Sequence, residues 1–319
     1  MWWLLWQQIL VYVLAFAGVW IGSGLAIKSV EKLARFLNIS SFMVSFVVLG
    51  LFTSIGELSV GINALIEHNP EIYVGSLIGA SIVLFLLITP LLAIVGNSVR
   101  INENFRGFNL VASLLVVALP AILVMDGKIS KADGVIAVVA FVWLLRKLKS
   151  KKSLLEKIKS LGVKNSIKVG KEIFNTLLGM GIVFIASKFV VEQTLYFSDL
   201  LGISSFLISL LVVSIGTNIP ELSMVIRSVT MRNYQVALGN YVGSAAFNTL
   251  LLGILTLIHG QDIFLTNSYV VGLVFLIAGL AMFYYFARTK NTLSRLEGLM
   301  LLVFYVVFVI TEISLHREG

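Results

Sequence analysis

The chain has 319 residues, of which 58% are hydrophobic and 13% charged, a balance that excludes an ordinary soluble domain and fits a polytopic membrane protein. It contains no cysteine, which excludes disulfides, thiolate metal sites and cysteine nucleophiles. The net charge of +8 does not point to nucleic acid, because ten of the 24 Lys and Arg fall within 146–171 and read as a basic loop between membrane spans.

A helix needs about 20 apolar residues to cross the hydrocarbon core. The first such stretch, 4–27, has no positive residue before it and is too long for a signal h-region, so it reads as a retained span. Trp2, Trp3 and Trp6 suit an interfacial aromatic anchor. Further spans are predicted at 38–66, 72–95, 107–125 and 130–147, then at 172–192, 203–230, 236–258, 267–287 and 296–314. Asp133, Lys188 and Glu312 crowd the ends of three of these. The expected fold is an all-α polytopic membrane protein with ten transmembrane helices in two inverted five-helix repeats. The repeats are 1–148 and 172–319, joined by a basic loop at 149–171. Five spans per half give the halves opposite orientation, and the charges agree. With both termini outside, every inner loop is basic (Lys28, Lys32 and Arg35; Arg100 and Arg106; 146–171; Arg227 and Arg232; Arg288, Lys290 and Arg295). The expectation is therefore an integral protein of the cell (plasma) membrane, with both termini outside and 146–171 in the cytoplasm. That loop reads equally as a solvated linker or as a short amphipathic helix carrying Leu154, Leu155, Ile158 and Leu161.

The second span of each half carries the chemistry. Residues from Ile39 read ISSFMVSFVVLGLFTSIGELSVGI, and residues from Ile203 read ISSFLISLLVVSIGTNIPELSMVI; they align without a gap at an offset of 164. Glu57 is the only charge from Leu37 to Ile66, and Glu221 the only one from Leu200 to Ile226. A carboxylate at a membrane-helix centre costs roughly 2.5–3.5 kcal/mol, so it is read first as functional. Thr53 and Thr217 precede the carboxylates, as do the helix-loosening Gly56 and the helix-breaking Pro220. Two carboxylates, two hydroxyls and carbonyls released at a broken helix make a hard-oxygen cage, suited to Na⁺ or Ca²⁺ and lacking the N and S ligands of zinc. Eighteen residues beyond each glutamate lies a glycine-spaced segment, Gly75-Ser-Leu-Ile-Gly79-Ala80 and Gly239-Asn-Tyr-Val-Gly243-Ser244, continuing to Asn248. Its simplest reading is close helix packing.

These segments resemble the α1 and α2 repeats of the sodium/calcium exchangers, within the cation/calcium antiporter superfamily. The specific motifs lie in 39–90 and 203–254, and the second is the closer to the family pattern. The resemblance implies alternating access around a midplane site, with Ca²⁺ and Na⁺ as transported ions and no cofactor. It implies that Thr53, Glu57, Thr217 and Glu221 line the Ca²⁺ position. Ser54, Ser244 and Asn248 would flank it, together with Asn218, which stands where the family has Ser. The first repeat departs from the pattern: Gly56 replaces Pro, Ser76 replaces Asn, Ala80 replaces Ser and Leu84 replaces Asn. Fewer neutral oxygens imply fewer Na⁺ per cycle, and H⁺ is the rival coupling ion. The other classes weighed are an intramembrane two-carboxylate protease, for which paired Asp and a substrate gate are missing, and a cation channel or transport-dead sensor. The expected partners are the lipid bilayer, Ca²⁺, Na⁺ and H⁺, with no nucleic acid.

Overall fold

The computed structural model describes residues 2–36, 46, 50–101, 108–148, 166–230, 234–265, 269–289 and 291–315. Most of 39–49 in the first glutamate segment, and the 149–165 part of the basic loop with its amphipathic option, lie outside the described residues. Helix dominates because backbone polar groups in hydrocarbon must be satisfied within their own segment.

The first half runs α1 (Trp2–Phe36), α2 (Gly50–Thr53), α3 (Ile55–Ile66), α4 (Glu71–Ile82), a π-helical stretch at Val83–Ile88, α5 (Thr89–Val95), β1 (Val99–Arg100), α6 (Phe108–Leu123), β2 (Lys128–Ile129) and α7 (Lys131–Lys147). The second half runs α8 (Ser166–Leu201), α9 (Ser205–Ile208), a π-helical stretch at Ser209–Val213, α10 (Ser214–Thr217), α11 (Ile219–Thr230), α12 (Tyr234–His259), β3 (Ile263–Phe264), α13 (Val270–Thr289), β4 (Thr292–Leu293) and α14 (Arg295–Leu315). The halves keep step at the 164 offset well beyond the glutamate segments. Ser130 and Asp133 form a reciprocal capping box at the start of α7, and Ser294 and Glu297 repeat it at the start of α14. The two ladders cross between halves: β1 pairs antiparallel with β4, and β2 with β3. Ile101 N–H donates to Asn291 O, and Leu265 N–H to Gly127 O, both at 2.9 Å. Gly127 and Asn291 both take positive φ there, +81° and +52°, which Gly and Asn tolerate best.

Among the described residues, six helices are long and apolar enough to cross a membrane. The pair Ser205–Thr217 and Ile219–Thr230, bent by 44°, makes a seventh if it is one span. The other three sequence-predicted spans fall on the shorter helices α3, α6 and α7. The sequence placed two spans too short. The first, predicted at 4–27, is a helix of 35 residues; the sixth, predicted at 172–192, has 36. At 1.5 Å per residue such helices reach about 50 Å, well past a hydrocarbon core of about 30 Å. Lys32 Nζ and Glu172 Oε1 pair across the charged ends of α1 and α8 at 3.0 Å. Glu312 is not an exposed end residue either: it is buried, with Oε1 against Gly272 of α13.

The glycine helices form the centre. Within their apolar windows, 78% of residues are buried in Glu71–Val95 and in Ala237–His259, against 28–39% in the other four long helices, whose outward Leu, Ile, Val and Trp make the lipid face. The glycine spacing does what packing requires. Gly79 lies against the backbone of Leu210, and Gly243 against that of Phe46. Each glycine helix thus packs on the broken helix of the other half, with no room for a Cβ. Pro120 inside α6 cannot donate to the Val116 carbonyl, and the Thr249 hydroxyl of α12 takes that bond at 2.7 Å.

Candidate functional site

The helices break at the two points where the sequence places its polar residues. Ser54 separates α2 from α3, and Asn218 separates α10 from α11. Glu57 and Glu221 therefore sit in the first turn of α3 and α11, where the helix dipole favours a carboxylate. The carbonyl ends of α2 and α10 come to the same breaks, and such ends favour a cation. Phe16 and Val19 of α1 cover the breaks, packing on Gly216 and Gly56.

The site is dry. Thr53, Thr217, Asn218, Glu221, Ser244 and Asn248 have no exposed surface, and Glu57 and Ser54 have 1–2%. Thr217 Oγ1 donates to the Ser214 carbonyl at 3.4 Å, and Thr53 Oγ1 to the Gly50 carbonyl at 3.2 Å, each at its own break. Other partners cross between the halves. Asn218 Nδ2 donates to Glu57 Oε1 at 3.3 Å and to the Ser214 carbonyl at 2.7 Å. Ser244 Oγ donates to Glu221 Oε1 at 3.4 Å, and Ser54 Oγ lies 3.2 Å from Ser244 Oγ. Seven of the eight sequence-predicted residues thus fall in two hydrogen-bonded groups: Thr217 and Asn218 share the Ser214 carbonyl beside Glu57, and Thr53 and Ser54 share the Gly50 carbonyl, with Ser54 next to Ser244 and Glu221. Asn248 lies one helical turn beyond Ser244, buried, and no recorded bond joins it to the carboxylates.

Four oxygens of the sequence-predicted residues lack hydrogen-bond partners among the described residues: Glu57 Oε2, Glu221 Oε2, Asn218 Oδ1 and, with its own Nδ2, Asn248 Oδ1. Buried acceptors are nearly always satisfied, so such a concentration requires an explanation. All four are hard oxygens of the kind that ligate Na⁺ or Ca²⁺. No group of three or more His, Cys, Asp or Glu occurs among the described residues, so any cage here combines two carboxylates with neutral oxygens.

Three residues around the site are absent from the sequence-predicted ligand set. Asn240 Oδ1 accepts from Thr53 at 3.4 Å, and the Tyr241 hydroxyl donates to the Glu221 main-chain carbonyl at 3.2 Å. Ser76, the first-half equivalent of Asn240, is buried with its hydroxyl unpartnered. All three lie inside the glycine-spaced segments, and that position was the available signal.

A family model described as sodium/calcium exchanger protein matches residues 7–146 and 169–313. The sodium/calcium exchanger MaX1 of Methanosarcina acetivorans is 24% identical over 328 residues, covering 91% of this chain and 93% of that protein. The solved sodium-calcium exchanger NCX_Mj superposes with a TM-score of 0.69 at 24% identity, over 95% of this chain and 97% of that one. The H⁺/Ca²⁺ exchanger CAX superposes with a TM-score of 0.78 at 15% identity, over 95% and 82%. Likeness at these identities describes the fold.

Proposed function

Because this chain belongs to the sodium/calcium exchanger family, we propose that it is a secondary antiporter exchanging Ca²⁺ for Na⁺ by alternating access. The cargo ion is held by Glu57 and Glu221, with Thr53 and Thr217 completing the divalent position and Ser54, Asn218, Ser244 and Asn248 flanking it. The observation that carries this reading is two buried carboxylates at equivalent helix breaks, with Asn218 of one break bonded to Glu57 of the other and one oxygen on each carboxylate without a partner among the described residues. Two charges neutralise one Ca²⁺ or two monovalent ions but not both together, so competition for the carboxylates couples the fluxes. Phe16 and Val19 must move away from the breaks for ions to enter, which makes α1 part of the gate.

Architecturally, the proposal is ten spans in two inverted repeats. The shorter α3, α6 and α7 are the equivalents of α11, α13 and α14, and the reciprocal ladders β1–β4 and β2–β3 would then lie at opposite membrane faces. Cysteines introduced singly at Ser150 and Asn267, in this cysteine-free chain, are expected to react with an impermeant maleimide from opposite sides. Labelling of both from one side rejects the inverted arrangement.

Proton coupling is a second reading, carried by Ala80 and Leu84. They offer no oxygen where Ser244 and Asn248 do, and a proton on a carboxylate needs no cage. The test is Ca²⁺ uptake into proteoliposomes loaded in turn with Na⁺, K⁺ or acidic buffer. Uptake driven by internal Na⁺ is expected. Uptake driven only by the pH gradient selects the second reading, and uptake with no counter-ion gradient rejects antiport.

A further inference from the structure

We propose that the groove between α6 and α13 binds an anionic phospholipid, with an acyl chain lying along the groove and the phosphate held by Arg288. The inference goes beyond the exchange reaction and holds whichever ion is the counter-ion.

The groove opens on the lipid face and has a volume of about 290 Å³. Leu114, Ala118 and Leu280 are buried and form its floor, while Leu115 and Ile277 stand exposed along its rims. Tyr284 closes one end. The Arg288 guanidinium lies one turn further along α13 and donates to the Tyr284 hydroxyl at 3.2 Å. Ile277 and Arg288 are eleven residues apart on one helix. That is about 16 Å at 1.5 Å per residue, close to half of a hydrocarbon core of about 30 Å. The groove with its arginine therefore covers one leaflet, as one phospholipid does. A spanning helix from a partner would need about twice that length.

The charge at this end favours an anion. Arg288 is exposed, and among the described residues no carboxylate pairs with it. After its bond to Tyr284, the planar guanidinium keeps donors that suit a phosphate. Arg100, opposite Thr292 in the β1–β4 ladder, and Arg295 at the start of α14 add two exposed cations. Glu297 of α14 is already engaged, since the N–H and the hydroxyl of Ser294 both donate to its Oε2 at 2.7 Å. Because α6 and α13 are equivalents at the 164 offset, the opposite end of the pair supplies a comparison. There Val124 stands for Arg288 and Pro120 for Tyr284. The cation of the β2–β3 ladder, Lys128, lies 3.9 Å from Asp262 and is neutralised within the protein. One end of the pair thus offers donors to a phosphate and the other does not. In the proposed orientation the Arg288 end faces the cytoplasm, the side whose anionic lipids attract basic residues.

The test is thermal unfolding of the purified protein in a neutral detergent, titrated with phosphatidylglycerol or with phosphatidylcholine of the same chains. Phosphatidylglycerol is expected to raise the melting temperature, and to do so at lower concentration than phosphatidylcholine. Arg288→Gln is expected to need about fivefold more phosphatidylglycerol for half the effect, the ratio for one basic residue beside an anionic lipid. Ala281→Phe fills the groove from an exposed position. It is expected to abolish the shift without lowering the melting temperature in detergent alone. Lys128→Gln, at the opposite end, is expected to titrate as wild type does. Equal titrations of Arg288→Gln and wild type overturn the proposal, as do equal effects of the two lipids. Glycerol phosphate acting as well as phosphatidylglycerol would mean an adventitious ion only, and overturns it too. If either groove variant fails to fold, the other decides: a wild-type titration there overturns the lipid site. A wild-type dimer that these variants turn into a monomer would make the groove a seam between two copies of the chain, which also overturns it.

Discussion

Glu57→Gln and Glu221→Gln are each expected to abolish divalent exchange while leaving a folded protein. Gln keeps the shape of Glu and retains an acceptor for Asn218 at one position and Ser244 at the other, so packing is preserved and only charge is lost. A divalent ion would then face a single carboxylate in a site with almost no exposed surface. Leaving one charge of a buried ion pair uncompensated costs about 3–5 kcal/mol, or roughly two to three decades in affinity. The two variants are expected to fail to a similar degree because the carboxylates occupy equivalent helix turns. Radiolabelled Ca²⁺ uptake, read beside thermal unfolding in detergent, separates loss of transport from loss of fold. Near wild-type uptake in both variants would place the ion site elsewhere.

Gly243→Val is expected to destabilise the whole bundle. A Cβ on Gly243 would lie 2.9 Å from the Phe46 carbonyl carbon and closer still to its oxygen. Those atoms are backbone and cannot swing aside, so α12 must move away from Phe46. Overpacking in a core costs typically 1–3 kcal/mol, and a backbone-on-backbone contact belongs at or above the upper end, about 3 kcal/mol or more. Gly79→Val, which meets the Leu210 backbone in the same way, is expected to behave alike. Gly181→Ala is the control, since nothing lies within 4 Å of its Cβ position. The check is the detergent melting temperature of the three variants. Wild-type melting for Gly243→Val would mean that these helices pack less closely than described.

Much of the site was legible because hydrocarbon is an unforgiving solvent. An isolated glutamate in a 30-residue apolar stretch stands out, and its recurrence at a fixed offset identifies the second copy. Breakers beside each carboxylate marked the helix interruptions. The cross-connections were not legible, because comparing one half with the other reveals which residues are equivalent, not which ones meet. Asn218 reaches Glu57 rather than Glu221, a pairing 161 positions apart. The long ends of α1 and α8 were missed for the same reason: Lys32 and Glu172 look like loop charges until they are seen 140 positions apart and 3.0 Å from each other. The ladders are two residues long, too short for any alternating pattern. Glu312 read as a terminal charge because the sequence gives no sign that α13 presents Gly272 beside it.

The central claim is that two carboxylates, and no further fixed charge, balance the transported ions. The most direct test is the Ca²⁺ accumulation end point in Na⁺-loaded proteoliposomes, measured with the membrane potential clamped at zero and again with a potential imposed. Exchange of two monovalent ions for one divalent ion moves no net charge, so the account predicts an end point that follows the Na⁺ gradient and changes little with voltage. An end point that shifts strongly with voltage would show net charge movement in each cycle. A further ion would then be held by neutral oxygens alone, contradicting the two-charge site.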